Sequence, residues 1–213
     1  AVAHALNYEA LGIAGFDGMY KLNHSFMPET VSYHEDVGEY EYDPELSRQL
    51  LAEAGYPNGF SFTLVTYEIF NDLAIALQDQ LAQIGITVTL DVGQMMPQLK
   101  RLLAGEGDAC IMQTNTDNCG EPSLTYQKFV AVTDNIKAAA VYDEDWNALL
   151  ESSFTMDQEA REKIIREIQH NYHDNVWQVA LLERCEAWCY NSNILPEDFE
   201  AYIGGTPTFR VTK

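Results

Sequence analysis

The sequence predicts an α/β domain, a central mixed sheet flanked by helices. Segments with the 3.6-residue apolar period of a helix alternate with segments that alternate every second residue, as strands do. Turn residues stand at the joints, with Asp-Pro where a helix opens and Gly where it stops. Hydrophobic residues make up 46% and aromatics 11% of the 213 residues, enough for a sizeable core.

Residues 1–11 carry a helical pattern through Val2, Ala3, Ala5 and Leu6. Residues 12–41 are rich in Gly, Tyr and acids and have no clear period, which predicts a long loop. Asp43-Pro44-Glu45 then opens a helix, with Asp as N-cap, Pro in the first position and acid in the first turn. Leu46, Leu50, Leu51 and Ala54 form its stripe, Gly55 closes it, and Tyr56-Pro57-Asn58-Gly59 is a turn. Phe60 to Thr66 alternates as a strand with Phe60, Phe62 and Leu64 on one face. Residues 70–84 form a helix that turns Leu73, Ile75, Ala76, Leu77, Leu81 and Ile84 inward and stops at Gly85. Ile86 to Leu90 is a second strand, Pro97 to Leu103 a short helix starting near Met95, and Asp108 to Met112 a third strand.

Gln113 to Ser123 is polar, without period, and reads as a loop, while residues 124–142 leave helix and strand open. Asp143 to Phe154 is a helix. Thr155 and Gln158 match a capping box for the next, 156–174, whose stripe is Ile164, Ile165, Ile168 and Tyr172. Residues 176–190 alternate as one or two strands, the tail from Asn191 is loop-like, and Thr208 to Val211 suggests a last strand.

Twelve basic residues against 33 acidic ones give a net charge of -21. Such a chain repels phosphate backbones and anionic lipid, so nucleic acid is excluded as a partner. No apolar run reaches bilayer-spanning length. Cys110, Cys119, Cys185 and Cys189 contain no CxxC pair and allow three pairings; buried thiols and a disulfide through Cys119 both stay open.

The run Tyr42-Asp43-Pro44-Glu45-Leu46-Ser47-Arg48-Gln49-Leu50-Leu51-Ala52-Glu53-Ala54-Gly55-Tyr56-Pro57-Asn58-Gly59-Phe60 resembles a segment of the family 5 extracellular solute-binding proteins, the dipeptide, oligopeptide and nickel receptors of ABC importers. Ser47 stands where Ala is commonest. Ala5 to Leu11, the Gln80-Leu81-Ala82-Gln83-Ile84-Gly85-Ile86 run, and the helix holding Arg161 and Gln169 agree in the same order. The resemblance implies a periplasmic-binding-protein-like lobe. Residues 1–213 would be the C-terminal lobe of a two-lobe receptor, with the N-terminal lobe and signal sequence outside this sequence. It also implies an extracytoplasmic, lipid-anchored receptor, monomeric, with a short peptide as the leading solute and ABC permease subunits as partners. Nickel-chelate, haem and oligosaccharide solutes stay open.

In open α/β sheets ligands bind beyond the carboxyl ends of strands. Two loops qualify, Thr66 to Phe70 and Gln113 to Pro122. In the family, the second reads W-x-x-D-x-x-D-P, and its first Asp pairs with a peptide's α-amine, because a cleft that dehydrates an ammonium must supply a carboxylate. Anchored on Pro122, this sequence has Asn115 at the Trp position, Asn118 at the Asp position and Glu121 at the second Asp, with Asp117 one residue early. The candidate ligand-binding residues are therefore Asn115, Thr116, Asp117, Asn118, Glu121, Tyr67 and Phe70. Tyr67 and Phe70 also fit local core, which aromatics at strand ends more often join.

His170 and His173 sit one turn apart near a helix end, which suits the dipole better than a metal without a third ligand. His24 and His34 read as surface residues beside an acidic loop (Glu35, Asp36, Glu39, Glu41), and Trp177 and Trp188 as packing residues. No GxSxG, HExxH, GxxxxGK or GxGxxG run is present, so no catalytic residues, metal ligands or cofactors are assigned. Two other classes remain as alternatives: a stand-alone α/β hydrolase-type enzyme, with Cys185 and His170 as its conceivable nucleophile and base, and a sensor or interaction module reusing the binding lobe.

Overall fold

The computed structural model describes residues 1–29, 31–113, 144–176 and 178–185, with the backbone of 199–200 and 208–209. A short 3-10 turn, Ala3–Ala5, precedes α1 (Tyr8–Phe16) and β1 (Tyr20–Lys21). Then come α2 (Pro44–Glu53), β2 (Ser61–Tyr67), α3 (Asn71–Ala82), β3 (Thr87–Gly93), α4 (Met95–Leu103) and β4 (Ala109–Cys110). After them lie α5 (Glu144–Ser152), α6 (Gln158–Asp174), β5 (Glu183–Arg184), β6 (Phe199–Glu200) and β7 (Thr208–Phe209).

The main sheet has the order β3-β2-β4, and both pairings are parallel. Antiparallel pairing among the described residues is confined to the ribbons β1-β5 and β6-β7, so the mixed character expected of the central sheet is absent there. Each of its strands returns through a helix, and a helical crossover yields a parallel neighbour. β2 is the middle strand. Its consecutive residues Val65 and Thr66 point to opposite faces, and both are 0% exposed, so the sheet is covered on both sides. The strand's second half, Leu64 to Tyr67, is therefore a continuous buried run, and the alternation expected from the sequence is not seen in its burial, since Phe62 and Thr63 are both half-buried.

Local signals explain most boundaries. Asp43 caps α2, accepting a hydrogen bond from the Leu46 amide at 2.9 Å. Ser47 is buried, and its hydroxyl donates to the Ala1 and Asp43 carbonyls at 2.9 and 3.0 Å. That bond seats α2 on the first residues of the chain. Asn7 caps α1, accepting from the Ala10 amide at 2.9 Å, which splits the helix expected over 1–11 and restarts it at Tyr8. Gln80 of α3 grips the same cap, accepting from the Asn7 amide at 2.7 Å and donating to its carbonyl at 3.4 Å. The cap of α6 is Asp157, which accepts from the Glu159 and Ala160 amides at 3.1 Å, whereas the Thr155 hydroxyl takes only the Asp157 amide. On α3, Leu73, Ala74, Leu77 and Leu81 face the core, but Ile75 is exposed. The tail expected as loop carries β6.

Two apolar clusters form. The larger surrounds the sheet and takes in Leu11, Leu64, Val65, Leu77 and Ile86. The smaller joins Met27 and Val31 to Leu150 of α5 and Ile165, Ile168 and Tyr172 of α6. Gln169, 1% exposed, ties the irregular segment after β1 to this second cluster. Its side-chain oxygen accepts from the Ser25 hydroxyl at 2.8 Å and the Glu35 amide at 3.0 Å. Its amide nitrogen donates to the Tyr33 and Ile165 carbonyls at 2.8 and 3.2 Å. All four bonds of a carboxamide are thus satisfied. Arg166, one turn back, pairs with Glu35 and Glu162.

Two stability tests follow from these contacts. Gly59 lies at φ +73°, and a Cβ there would stand 1.9 Å from the Gly85 carbonyl oxygen, while Gly55 at φ +90° faces open space. Gly55→Ala should cost about 1–2 kcal/mol for the left-handed backbone alone, and Gly59→Ala clearly more, in urea melts. Gln169→Leu strands the groups it serves, and at about 1–3 kcal/mol for each one left unpaired it should shift the urea midpoint strongly downward.

Candidate functional site

The strand order decides where a site can form. From β2 the chain crosses to β3 on one side, and from β3 it returns past β2 to β4 on the other. The order therefore reverses between β2 and β4, and the segments leaving their carboxyl ends diverge around a crevice. The register fixes their alignment: Leu64 is opposite Ala109, Val65 opposite Cys110, and Tyr67 opposite Gly93. The Ile111 amide donates to the Val65 carbonyl at 3.1 Å, and the buried Thr66 hydroxyl donates to the Ile111 carbonyl at 3.2 Å. These bonds bring residues 111–113 out beside the end of β2.

Of the expected ligand residues, Tyr67 and Phe70 are described. They are 5% and 4% exposed, with ring centroids 6.1 Å apart, and Phe16 meets Phe70 edge-on. Both rings belong to the main core, beneath the end of β2. Burial, with Cys110 adding to it, pushes the Tyr67 phenol up. Asn115, Thr116, Asp117, Asn118 and Glu121 lie outside the described residues, as do Cys119, Cys189, Trp177 and Trp188. Cys110 and Cys185 are free, half-buried thiols, and burial raises that of Cys110.

A third segment reaches the same end of the sheet, and the sequence reading passed it by. β3 runs on to Gly93, so Gln94, Met95 and Met96 emerge level with Glu68 and Ile69. Ile69, Met95 and Met96 are 59%, 55% and 67% exposed. The expected strand stopped at Leu90 because Asp91 interrupts the apolar run, although Val88, Leu90 and Val92 keep the two-residue alternation. Asp91 is held by the Gln98 amide at 2.9 Å and the Arg101 guanidinium at 2.8 Å, and these partners keep its carboxyl below the usual range. Gln98 also donates to the Asp91 carbonyl at 3.0 Å, so the network clamps α4 against β3 and fixes the angle at which the methionines leave it.

The histidines part company. His170 is exposed with its Nε2 3.8 Å from Glu35, whereas His173 stacks on Tyr40 with centroids 4.3 Å apart. His24, expected at the surface, packs edge-on against Tyr8 at 4.8 Å. His34 is half-buried, its Nδ1 2.9 Å from the Met27 carbonyl. The cause is the clamp of residues 25–35 onto α6 through Gln169, which draws both imidazoles inward. Among the described residues no group of three or more His, Cys, Asp or Glu side chains is arranged to hold a metal ion.

The model of the bacterial extracellular solute-binding proteins, family 5 Middle, matches residues 1–135. Heme-binding protein A of Haemophilus influenzae is 28% identical over 188 residues, which cover 81% of this chain and 34% of that protein. Glutathione-binding protein GsiB of Escherichia coli is 35% identical over 106 residues, 47% of this chain and 21% of the relative. The chain thus spans about a third or less of the length of these relatives. Among solved structures, the ABC transporter-associated periplasmic binding protein DppA of Helicobacter pylori, in complex with the peptide STSA, superposes with a TM-score of 0.74 at 26% identity, over 86% of this chain and 37% of that one.

The buried rings and the exposed methionines should separate by stability. Tyr67→Ala should cost about 3–5 kcal/mol, as for other large buried aromatics. The double change Met95→Ser and Met96→Ser should stay within about 0.5 kcal/mol of the parent, both read from urea unfolding.

Proposed function

Because the chain belongs to family 5 of the bacterial extracellular solute-binding proteins, we propose that it is one lobe of a two-lobe receptor. The receptor captures a small solute outside the cytoplasm and delivers it to an ABC permease. The observation that carries this reading is the reversal of strand order between β2 and β4, which aims the segments 67–70 and 111–113 at one crevice. The floor of Tyr67 and Phe70 is packed too tightly to rearrange on binding, so it can hold a solute against a second, closing lobe.

A short peptide is the leading solute. Asp117 and Glu121 lie in the segment that follows β4, and either carboxylate can pair with an α-ammonium. Ile69, Met95 and Met96 add an apolar lip, and methionine adapts to side chains of varied shape. Two of the relatives support the same choice, since glutathione and STSA are both peptides, whereas the Haemophilus influenzae relative is named for haem. A lipid anchor on the complete receptor is part of the same proposal.

Calorimetry on the complete receptor tests it. Tripeptides with a free amine and an apolar side chain should bind, and N-acetylation should weaken them at least about tenfold, the equivalent of about 1.4 kcal/mol. Asp117→Asn together with Glu121→Gln should remove that preference. Equal binding of free and acetylated peptides, or binding of neither, overturns the peptide reading.

A further inference from the structure

Three of the chain's five histidines gather around one tyrosine, away from the sheet end. Tyr40 stacks on His173 at 4.3 Å, meets His4 edge-on at 5.9 Å and His24 edge-on at 6.4 Å. Its hydroxyl donates to the His173 carbonyl at 2.6 Å. The cluster lies where the two apolar cores adjoin: Tyr8 and Tyr40 belong to the first, and Tyr172, beside His173, to the second. It fastens the end of the irregular segment, residues 36–43, to the last turn of α6.

Two ring nitrogens here are buried without a hydrogen-bond partner among the described residues, Nδ1 of His24 and Nε2 of His173. His173 Nδ1 lies 3.2 Å from the Asp174 carboxylate, which can only accept, so Nδ1 carries a proton. A neutral His24 can leave its Nδ1 bare. A charged His24 cannot, since both its nitrogens are then protonated, and Nδ1–H is buried with no acceptor. The titratable and charged groups around it are Tyr8 from α1, Asp36, Glu39 and Tyr40 from the irregular segment, and His173 from α6.

We propose that the His24–Tyr40–His173 cluster is an acid-sensitive latch: charging His24 frees residues 36–43 from the end of α6. Burial holds the His24 imidazole below its ordinary range. Glu39 opposes this, His173 adds to it, and Asp36 opposes it. A depressed folded value fixes the sign. The latch is fully stable above the ordinary imidazole value of about 6.5 and weakens as the pH falls from there through the folded value. This inference does not depend on the identity of the solute.

Hydrogen exchange on the complete protein, corrected for intrinsic rates, tests it at pH 7.5 and pH 5.5. Protection of residues 36–43 should fall at least about fivefold at the lower pH, while α3 stays protected. His24→Phe keeps the edge-on ring and cannot charge, so it should abolish the fall, and His170→Gln should leave it intact. No fall in the parent, or an equal fall in His24→Phe, overturns the latch. Should His24→Phe fail to fold, ring-proton resonances of the parent decide: His24 titrating below about 6.5 supports it, and titration at or above that value overturns it.

Discussion

Parallel strands cannot be joined by tight turns, and that constraint organises this molecule. Each strand of the main sheet must return through a helix, so β2, β3 and β4 come with α3 and α4 between them. With β2 in the middle, the second crossover has to pass the first strand and reverse direction. Coverage of both sheet faces, the burial of Val65 and Thr66, and the diverging exits after β2 and β4 all follow from that reversal. The site is therefore a consequence of strand order, and the rings beneath the end of β2 are ordinary core. A solute at this end would meet backbone and side chains whose positions are already fixed by packing.

The remainder of the described chain faces a different problem. Residues 22–43 have little regular structure, so their backbone polar groups need partners supplied from elsewhere. α6 supplies them. Gln169 accepts from the Ser25 hydroxyl and the Glu35 amide and donates to the Tyr33 carbonyl, and Arg166 adds an ion pair to Glu35. Tyr40 holds the second half by one hydrogen bond and a stacked ring. The two attachments differ in kind. The carboxamide of Gln169 does not titrate, whereas the rings around Tyr40 include imidazoles, so the two halves of one segment respond differently to acid.

What the sequence made legible was local. Asp43 with Pro44, Gly55, and the Gln80 to Ile86 run each place an element boundary within a few residues of the chemistry that causes it. α2, β2, α3 and α4 could be placed on such signals. What stayed hidden depends on distant partners. His24 and Tyr40 look like parts of a polar loop until α6 is folded against them, and Tyr40 and His173 are 133 residues apart. Asp91 looks like the end of a strand until Gln98 and Arg101 are placed around it. Ser47 differs from the residue commonest in the resembling family, yet it is buried and bonded to Ala1, a contact with no local signature.

The same distinction bears on the net charge of -21. As a total it repels phosphate backbones, but fields at a site are set within about a Debye length, ~8 Å at physiological ionic strength. At the sheet's carboxyl end Glu68 and Asp72 follow β2, while Asp91, near the end of β3, is paired with Arg101 of α4 at 2.8 Å. Arg101 thus offsets the Asp91 carboxylate, and the local field is not given by the total charge. An apolar group gains from the lip by displacing water from Ile69, Met95 and Met96.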